Sequence, residues 1–475
     1  MLFNSLEYAM FLPVVAAIYF LLPQRLRTVH LLAASCVFYM AFIPAYVLIL
    51  ALTIVIDYFA GLWIERTQGR RRKTLLWISI AATCTVLFVF KYFYFFTDSF
   101  VGLVGLFGWP LSSPSVQILL PIGLSFHTFQ SLSYVIEVYR GNQRAEPDFI
   151  KYATFVMFFP QLVAGPIERP QNLLHQFTEH HSFDYERVAS GLRRIAWGLF
   201  KKVVIADRLA LYVNDVYGAP QQHNGLQLTI ATVFFAYQIY CDFSGYSDIA
   251  IGSARVLGFR LIENFDRPYS SRSISEFWKR WHISLSSWFR DYVYIPLGGN
   301  RRSPARHRLN LLVTFTASGL WHGANWTYVF WGALNGLYLI CGTALRARTK
   351  GLQVSWLQRL APALAVSWTF LLVCLAWILF RARSLSDAFY IVTHLFGGWS
   401  LQAIATEHFL SRQFPVAIFA IVALETIQYH DHRQRIQRCL SRWSLAPRWL
   451  AYSTLFLGVL VAGVYQKTNF IYFQF

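Results

Sequence analysis

Stretches of roughly 20 apolar residues, the length that carries a helix across the hydrocarbon of a bilayer, recur throughout this chain. They cover residues 6–23, 46–64, 74–96, 226–241, 326–345, 361–380, 414–428 and 449–465, with weaker runs at 29–43, 100–108, 116–136, 150–165, 309–321 and 385–396. A backbone in lipid finds no water and must satisfy its own polar groups, as a helix does. The sequence therefore predicts an all-α, polytopic membrane protein of about ten to twelve spans, built as one domain over residues 1–475. The shorter runs predict re-entrant or interfacial helices, which need protein or water around them. Only 14% of residues are charged, against about a quarter in a soluble domain. The first run has no basic leader and no small-residue cleavage site after it, which predicts a retained span rather than a removed signal peptide.

A net charge of +19 raises the question of nucleic acid. Its distribution answers against it: the bases gather in short loops, at Arg25 and Arg27, residues 66–73, Arg193, Arg194, Lys201 and Lys202, residues 301–308, and residues 433–448. Short basic loops mark the cytoplasmic side, where anionic headgroups are their natural neighbours. That rule places both termini outside the cytoplasm. Arg381 and Arg383 then fall on the wrong side. The six cysteines form no CxxC pair and no zinc spacing, so neither a disulfide framework nor a metal is expected.

Three segments break the lipid-facing pattern. Residues 158–170 hold three prolines and a glycine, which forbid a regular span and predict a re-entrant or interfacial loop. Tyr240-Cys241-Asp242-Phe243-Ser244-Gly245-Tyr246-Ser247-Asp248 puts two carboxylates at the end of an apolar run; they read either as functional intramembrane acids or as a helix end reaching the headgroups. Residues 276–290 predict an interfacial amphipathic helix, capped by Ser273 or Ser275, with Trp278, His282, Leu285 and Phe289 on one face. On that evidence His282 is a core histidine.

The sharper signal is Ser318-Gly319-Leu320-Trp321-His322-Gly323-Ala324-Asn325-Trp326, between two apolar runs with basic flanks at 300–308 and 345–350. The pattern predicts a hairpin entering from the cytoplasm with His322 at its tip. Gly319 and Gly323 permit close backbone approach, while Trp321 and Trp326 would shield the imidazole from water. A lone intramembrane histidine is ordinarily an interhelical hydrogen bond; here the glycines, the tryptophans and a second histidine favour a functional group. An imidazole titrating near neutrality can take the proton from a hydroxyl as it attacks a thioester.

Glu276-Phe277-Trp278-Lys279-Arg280-Trp281-His282, Tyr294-Ile295-Pro296-Leu297-Gly298-Gly299-Asn300-Arg301 and Trp321-His322-Gly323-Ala324 followed by Trp331-Gly332-Ala333 resemble the membrane-bound O-acyltransferase family. Residues 120–130, 161–170 and 470–475 extend the similarity, and together these segments resemble the bacterial branch of alginate O-acetyltransferases. The resemblance implies that His322 is the catalytic histidine and that His282 has a positioning role. It implies helices ringed around a central funnel that admits a cytoplasmic thioester donor, acetyl-CoA, with no permanently bound cofactor. It also makes Tyr472, in the aromatic tail, a candidate acyl relay, the plainer reading being an aromatic membrane anchor.

The expected function is an inner-membrane O-acetyltransferase that passes acetyl outward for an exported polysaccharide such as alginate, with a periplasmic partner finishing the transfer. D-alanyl transfer from a carrier protein to a cell-wall polymer is the second enzymatic reading. A transporter or channel is a third, disfavoured by the lack of an inverted repeat. Haem held by His127, His282 and His322 lacks any attachment motif.

Overall fold

The computed structural model describes residues 1–109, 111–112, 114, 118–349, 357–400, 413–430, 443–465 and 470–471, and secondary structure among them is helical throughout, without strands. The chain is a multi-pass helical membrane protein. Five segments among the described residues are long and apolar enough to cross a bilayer: Tyr46–Arg66, Gly69–Gly105, Trp326–Leu345, Ala361–Arg381 and Leu445–Ala462, with shorter apolar helices at Leu6–Leu21 and Phe414–His430. Other helices on the expected list carry polar side chains inward: Gln130, Ser131 and Ser133 are buried on the helix Leu124–Arg140. A helix packed within protein tolerates such groups where one facing lipid does not. The runs at 74–96 and 100–108 merge into one rod of 37 residues, interrupted only by a π-helical turn at Phe88–Tyr92. The run at 385–396 gives a helix of 10 residues, too short to span.

Chain contacts divide the protein into two compact units, the first made of Met1–Ile195 with Ile249–Glu263, the second of Ala196–Asp248 with Asn264–Phe475. In the first, the proline-rich segment is irregular as expected, with one short turn of helix at Phe159–Leu162. Burial obliges its polar groups to find partners. Glu168, fully buried, accepts from the backbone N–H of Ile262 at 2.6 Å and from Asn172 Nδ2 at 2.5 Å.

The second unit holds the helices α1 (Asp207–Gly218), α2 (Gly225–Leu257, as far as Asp248), α3 (Ile274–Arg280), α4 (Ile283–Phe289), α5 (Pro304–His322), α6 (Trp326–Thr349) and α7 (Leu357–Arg381). α5 and α6 form the expected hairpin, with α5 ending at His322 and Asn325 capping α6 through a 2.9 Å bond from the Thr327 N–H. Glycines let the two helices touch: a Cβ at Gly332 would collide with the Phe315 carbonyl and stand 3.1 Å from the Gly319 Cα. Arg381 and Arg383 bond the end of α1, to Asn214 Oδ1 at 2.7 Å and the Gly218 carbonyl at 3.1 Å. Cations there are favoured by the partial negative charge of a helix C-terminus.

Gly332→Ala should cost about 1–3 kcal/mol through forced separation of the α5–α6 hairpin, whereas Gly342→Ala, which meets nothing within 4 Å, should be neutral or slightly stabilising. Thermal unfolding of the two variants in detergent checks the contrast.

Candidate active site

The helix expected over residues 276–290 is broken at its middle. α3 stops at Arg280, and His282 stands between α3 and α4 in the left-handed region, at φ 42° and ψ 56°. His282 therefore does not share a helical face with Trp278, Leu285 and Phe289; Ser273 does cap α3, accepting from the Glu276 N–H at 3.2 Å. Left-handed backbone is costly for a residue with a Cβ and persists only where its surroundings impose it.

Asn264 imposes it. Its backbone carbonyl accepts from the Ile283 N–H at 2.9 Å. Its side-chain oxygen accepts from the Ser284 N–H at 3.2 Å and the Ser284 hydroxyl at 2.9 Å, and lies 3.1 Å from His282 Nδ1. Because a backbone N–H can only donate, that atom is an oxygen, and Nδ1 of His282 must carry the proton it shares. The basic nitrogen of His282 is then Nε2. Burial lowers this imidazole from its ordinary 6.5 to about 3, so it stays neutral.

His322, 4% exposed, ends α5 with its ring 6.5 Å from that of His282. Trp321, Trp331 and Phe380 surround it at 5.0, 5.1 and 5.4 Å between ring centres. Phe243 meets His282 edge-on at 4.6 Å. The structure thus brings the two sequence-nominated histidines together in an aromatic enclosure. Trp326 is 49% exposed, and Trp331, five residues further along α6, packs on the imidazole at 5.1 Å. His127, the third histidine, belongs to the first unit, where Thr53 bonds it.

The carboxylates of residues 240–248 are not at a helix end, because α2 continues to Leu257. Nor do Lys201 and Lys202 belong to a basic loop. Both are buried on the π-helical segment Phe200–Ala206, Lys201 bonding Asp248 at 2.6 Å and Lys202 bonding Asp242 at 2.8 Å and Asp207 at 2.7 Å. Tyr472 lies outside the described residues. Its neighbours Phe470 and Ile471 are buried, with the Ile471 N–H donating to Asp242 at 2.8 Å. Asn264 and Phe380 carried no signal in the sequence, since no motif spacing ties them to the histidines they touch.

A cavity of about 510 Å³ lies beside this enclosure in the same unit, lined among others by Trp278, Lys279, Ser286, Arg290, Thr314 and Ser318. Ser318 stands one helical turn before His322 on α5. Trp278 packs on Trp331 at 5.7 Å, and Trp331 on His322.

Two histidines thus stand enclosed by aromatic rings within a polytopic helical membrane protein. Residues 140–380, both histidines included, match the profile of the "MBOAT, membrane-bound O-acyltransferase family". Over 431 residues the chain is 40% identical to the "Probable alginate O-acetylase" of Pseudomonas aeruginosa, covering 89% of this chain and 81% of that one. It is 34% identical to the "Peptidoglycan O-acetyltransferase" of Helicobacter pylori, covering 87% and 84%. Similarity to the "Teichoic acid D-alanyltransferase" of Bacillus subtilis is lower, 26% over 58% of this chain and 73% of that one. The chain belongs to the membrane-bound O-acyltransferase family. It is an acyltransferase.

Asn264→Ala should destabilise the protein by about 1–3 kcal/mol for each buried donor it leaves unsatisfied and lower acyl transfer by freeing the His282 backbone. Thermal unfolding together with an acyl-transfer assay reads both effects.

Proposed function

We propose that this acyltransferase moves acetyl from a cytoplasmic thioester, acetyl-CoA, across the inner membrane for O-acetylation of an exported polysaccharide such as alginate, with His322 as general base. The observation that carries the reading is the pair of buried imidazoles 6.5 Å apart, one held in a fixed tautomer. The two more similar relatives are named for O-acetylation of alginate and of peptidoglycan, both glycan polymers, and the D-alanyl relative is more distant.

The chemistry is addition and elimination at a thioester carbonyl. His322 takes the proton of the attacking hydroxyl as its oxygen bonds the carbonyl carbon. When the tetrahedral adduct collapses, the C–S bond breaks and the imidazolium returns the proton to the departing thiolate. His282, neutral because it is buried and held in one tautomer by Asn264, orients the reacting groups through Nε2 and keeps the enclosure dry. The cavity beside α5 suits the donor: its apolar wall accepts an acyl-thioester arm, while Lys279 and Arg290 at its exposed rim match phosphates.

The acceptor polymer lies on the far side, so the acetyl group must be relayed, and a periplasmic partner protein completes its delivery. The N- and C-termini face the same extracytoplasmic side in this reading. Tyr472 is the relay hydroxyl, activated by the same base because a phenol near pKa 10 is a weak nucleophile at neutral pH. The buried seat of Phe470 and Ile471 against Asp242 supports this role.

His322→Ala should reduce polymer acetylation by about 10²–10⁴-fold while the protein inserts and purifies normally, and wild-type acetylation by such a variant would remove the base assignment. His282→Ala should be severe and His282→Asn milder, as expected of an orienting group.

Tyr472→Phe deletes one oxygen and keeps the ring, so it separates relay from anchor. Loss of polymer acetylation with unchanged membrane insertion supports the relay; normal acetylation leaves the tail an anchor.

A further inference from the structure

Three described residues near the end of the chain, Ala462, Val464 and Ile471, are tied to α1, to the π-helical segment before it and to α2. The Ala462 carbonyl accepts from the Arg208 guanidinium. The Val464 N–H donates to the Val203 carbonyl at 2.9 Å, within the π-helical segment Phe200–Ala206. The Ile471 N–H donates to one carboxylate oxygen of Asp242 at 2.8 Å, while Lys202, from the same segment, bonds the other at 2.8 Å. Lys202 is itself shared with Asp207 at 2.7 Å. Of the ionic side chains concerned, Lys202, Asp207 and Asp242 are 5% exposed or less and Arg208 is 6% exposed.

An isolated buried carboxylate would be far costlier than the bond it makes to one amide. Lys202 is what makes a buried acceptor at Asp242 affordable, and the π-helical segment 200–206 carries both Lys201 and Lys202, which meet Asp248 and Asp242 of α2. The consequence reaches His282 in two ring contacts. Phe470 stacks on Tyr246 at 4.5 Å and meets Phe243 at 6.0 Å, and Phe243 meets His282 at 4.6 Å.

We propose that the Lys202–Asp242 pair is a clasp that fixes the register of the C-terminal segment beside His282, making Asp242 and Lys202 positioning residues of the transfer reaction. The proposal rests on the reading of His282 and His322 as the reaction centre, but its structural half can be measured without any turnover. A clasp of this kind accounts for three costly features at once: a buried lysine between two carboxylates, a carboxylate spent on a main-chain amide, and a π-helical defect in the segment that supplies the lysine.

The test uses Ile471→Pro, which removes the amide donor and leaves the ion pair whole, beside Asp242→Asn, which breaks the pair. Hydrogen–deuterium exchange on the full-length proteins in detergent is expected to show a 10- to 100-fold faster exchange of the Val464 and Phe470 amides in both variants, the change that loss of a charge-assisted bond brings. Exchange in α5 and α6 of Ile471→Pro should match the wild type. Acetyl transfer should fall at least tenfold in kcat with the donor KM unchanged, since the donor cavity is untouched. Unaltered tail exchange in Ile471→Pro overturns the clasp outright. Released tail amides with normal kcat overturn the positioning role, and His322→Ala, assayed alongside, shows separately whether the reaction centre itself was misassigned.

Discussion

The structure depends on one constraint: a polar group taken out of water must find its partner within the chain. In the spans this is met by the helix itself. Where the backbone leaves the helix, the cost is met by individual side chains, and those places hold everything of chemical interest. The irregular segment around Glu168 survives burial because its carboxylate answers the Ile262 N–H and the Asn172 amide. The break at His282 survives because Asn264 answers three donors from two consecutive residues and the histidine ring besides.

The arrangement of the two histidines follows from that break. A continuous helix would have placed His282 on the same stripe as Trp278 and Leu285, one more ring in an apolar face. The left-handed turn instead gives its imidazole a separate direction, beside His322 at the end of the glycine-lined hairpin. Asn264 also decides the tautomer, leaving Nε2 as the basic nitrogen. Fixing orientation and protonation in advance is how a site in a dry enclosure avoids reorganising during reaction.

Charges in the second unit follow the same economy. Lys201 and Lys202 read in the sequence as loop bases, because charge count alone cannot separate a solvated lysine from one paired inside. The π-helical turn puts them against Asp248 and Asp242. Arg381 and Arg383, which contradict a simple positive-inside pattern, end as the caps of α1. Each case is an ion that long-range packing, not local sequence, supplied with its counterpart.

Sequence alone determined that the chain folds as membrane helices, that residues 158–170 cannot be one of them, and that His322 closes a hairpin. These follow from local rules: apolar length, the missing N–H and fixed φ of proline, and the close approach that glycine allows. Only the tertiary structure decided that residues 276–290 break at His282, that Trp331 packs on His322, and that Asp242 holds the amide of Ile471. The reason is separation along the chain. Asn264 lies 18 residues from His282, and Ile471 lies 229 from Asp242. No period or propensity links such pairs, and each is fixed by the requirement that a buried donor and a buried acceptor meet.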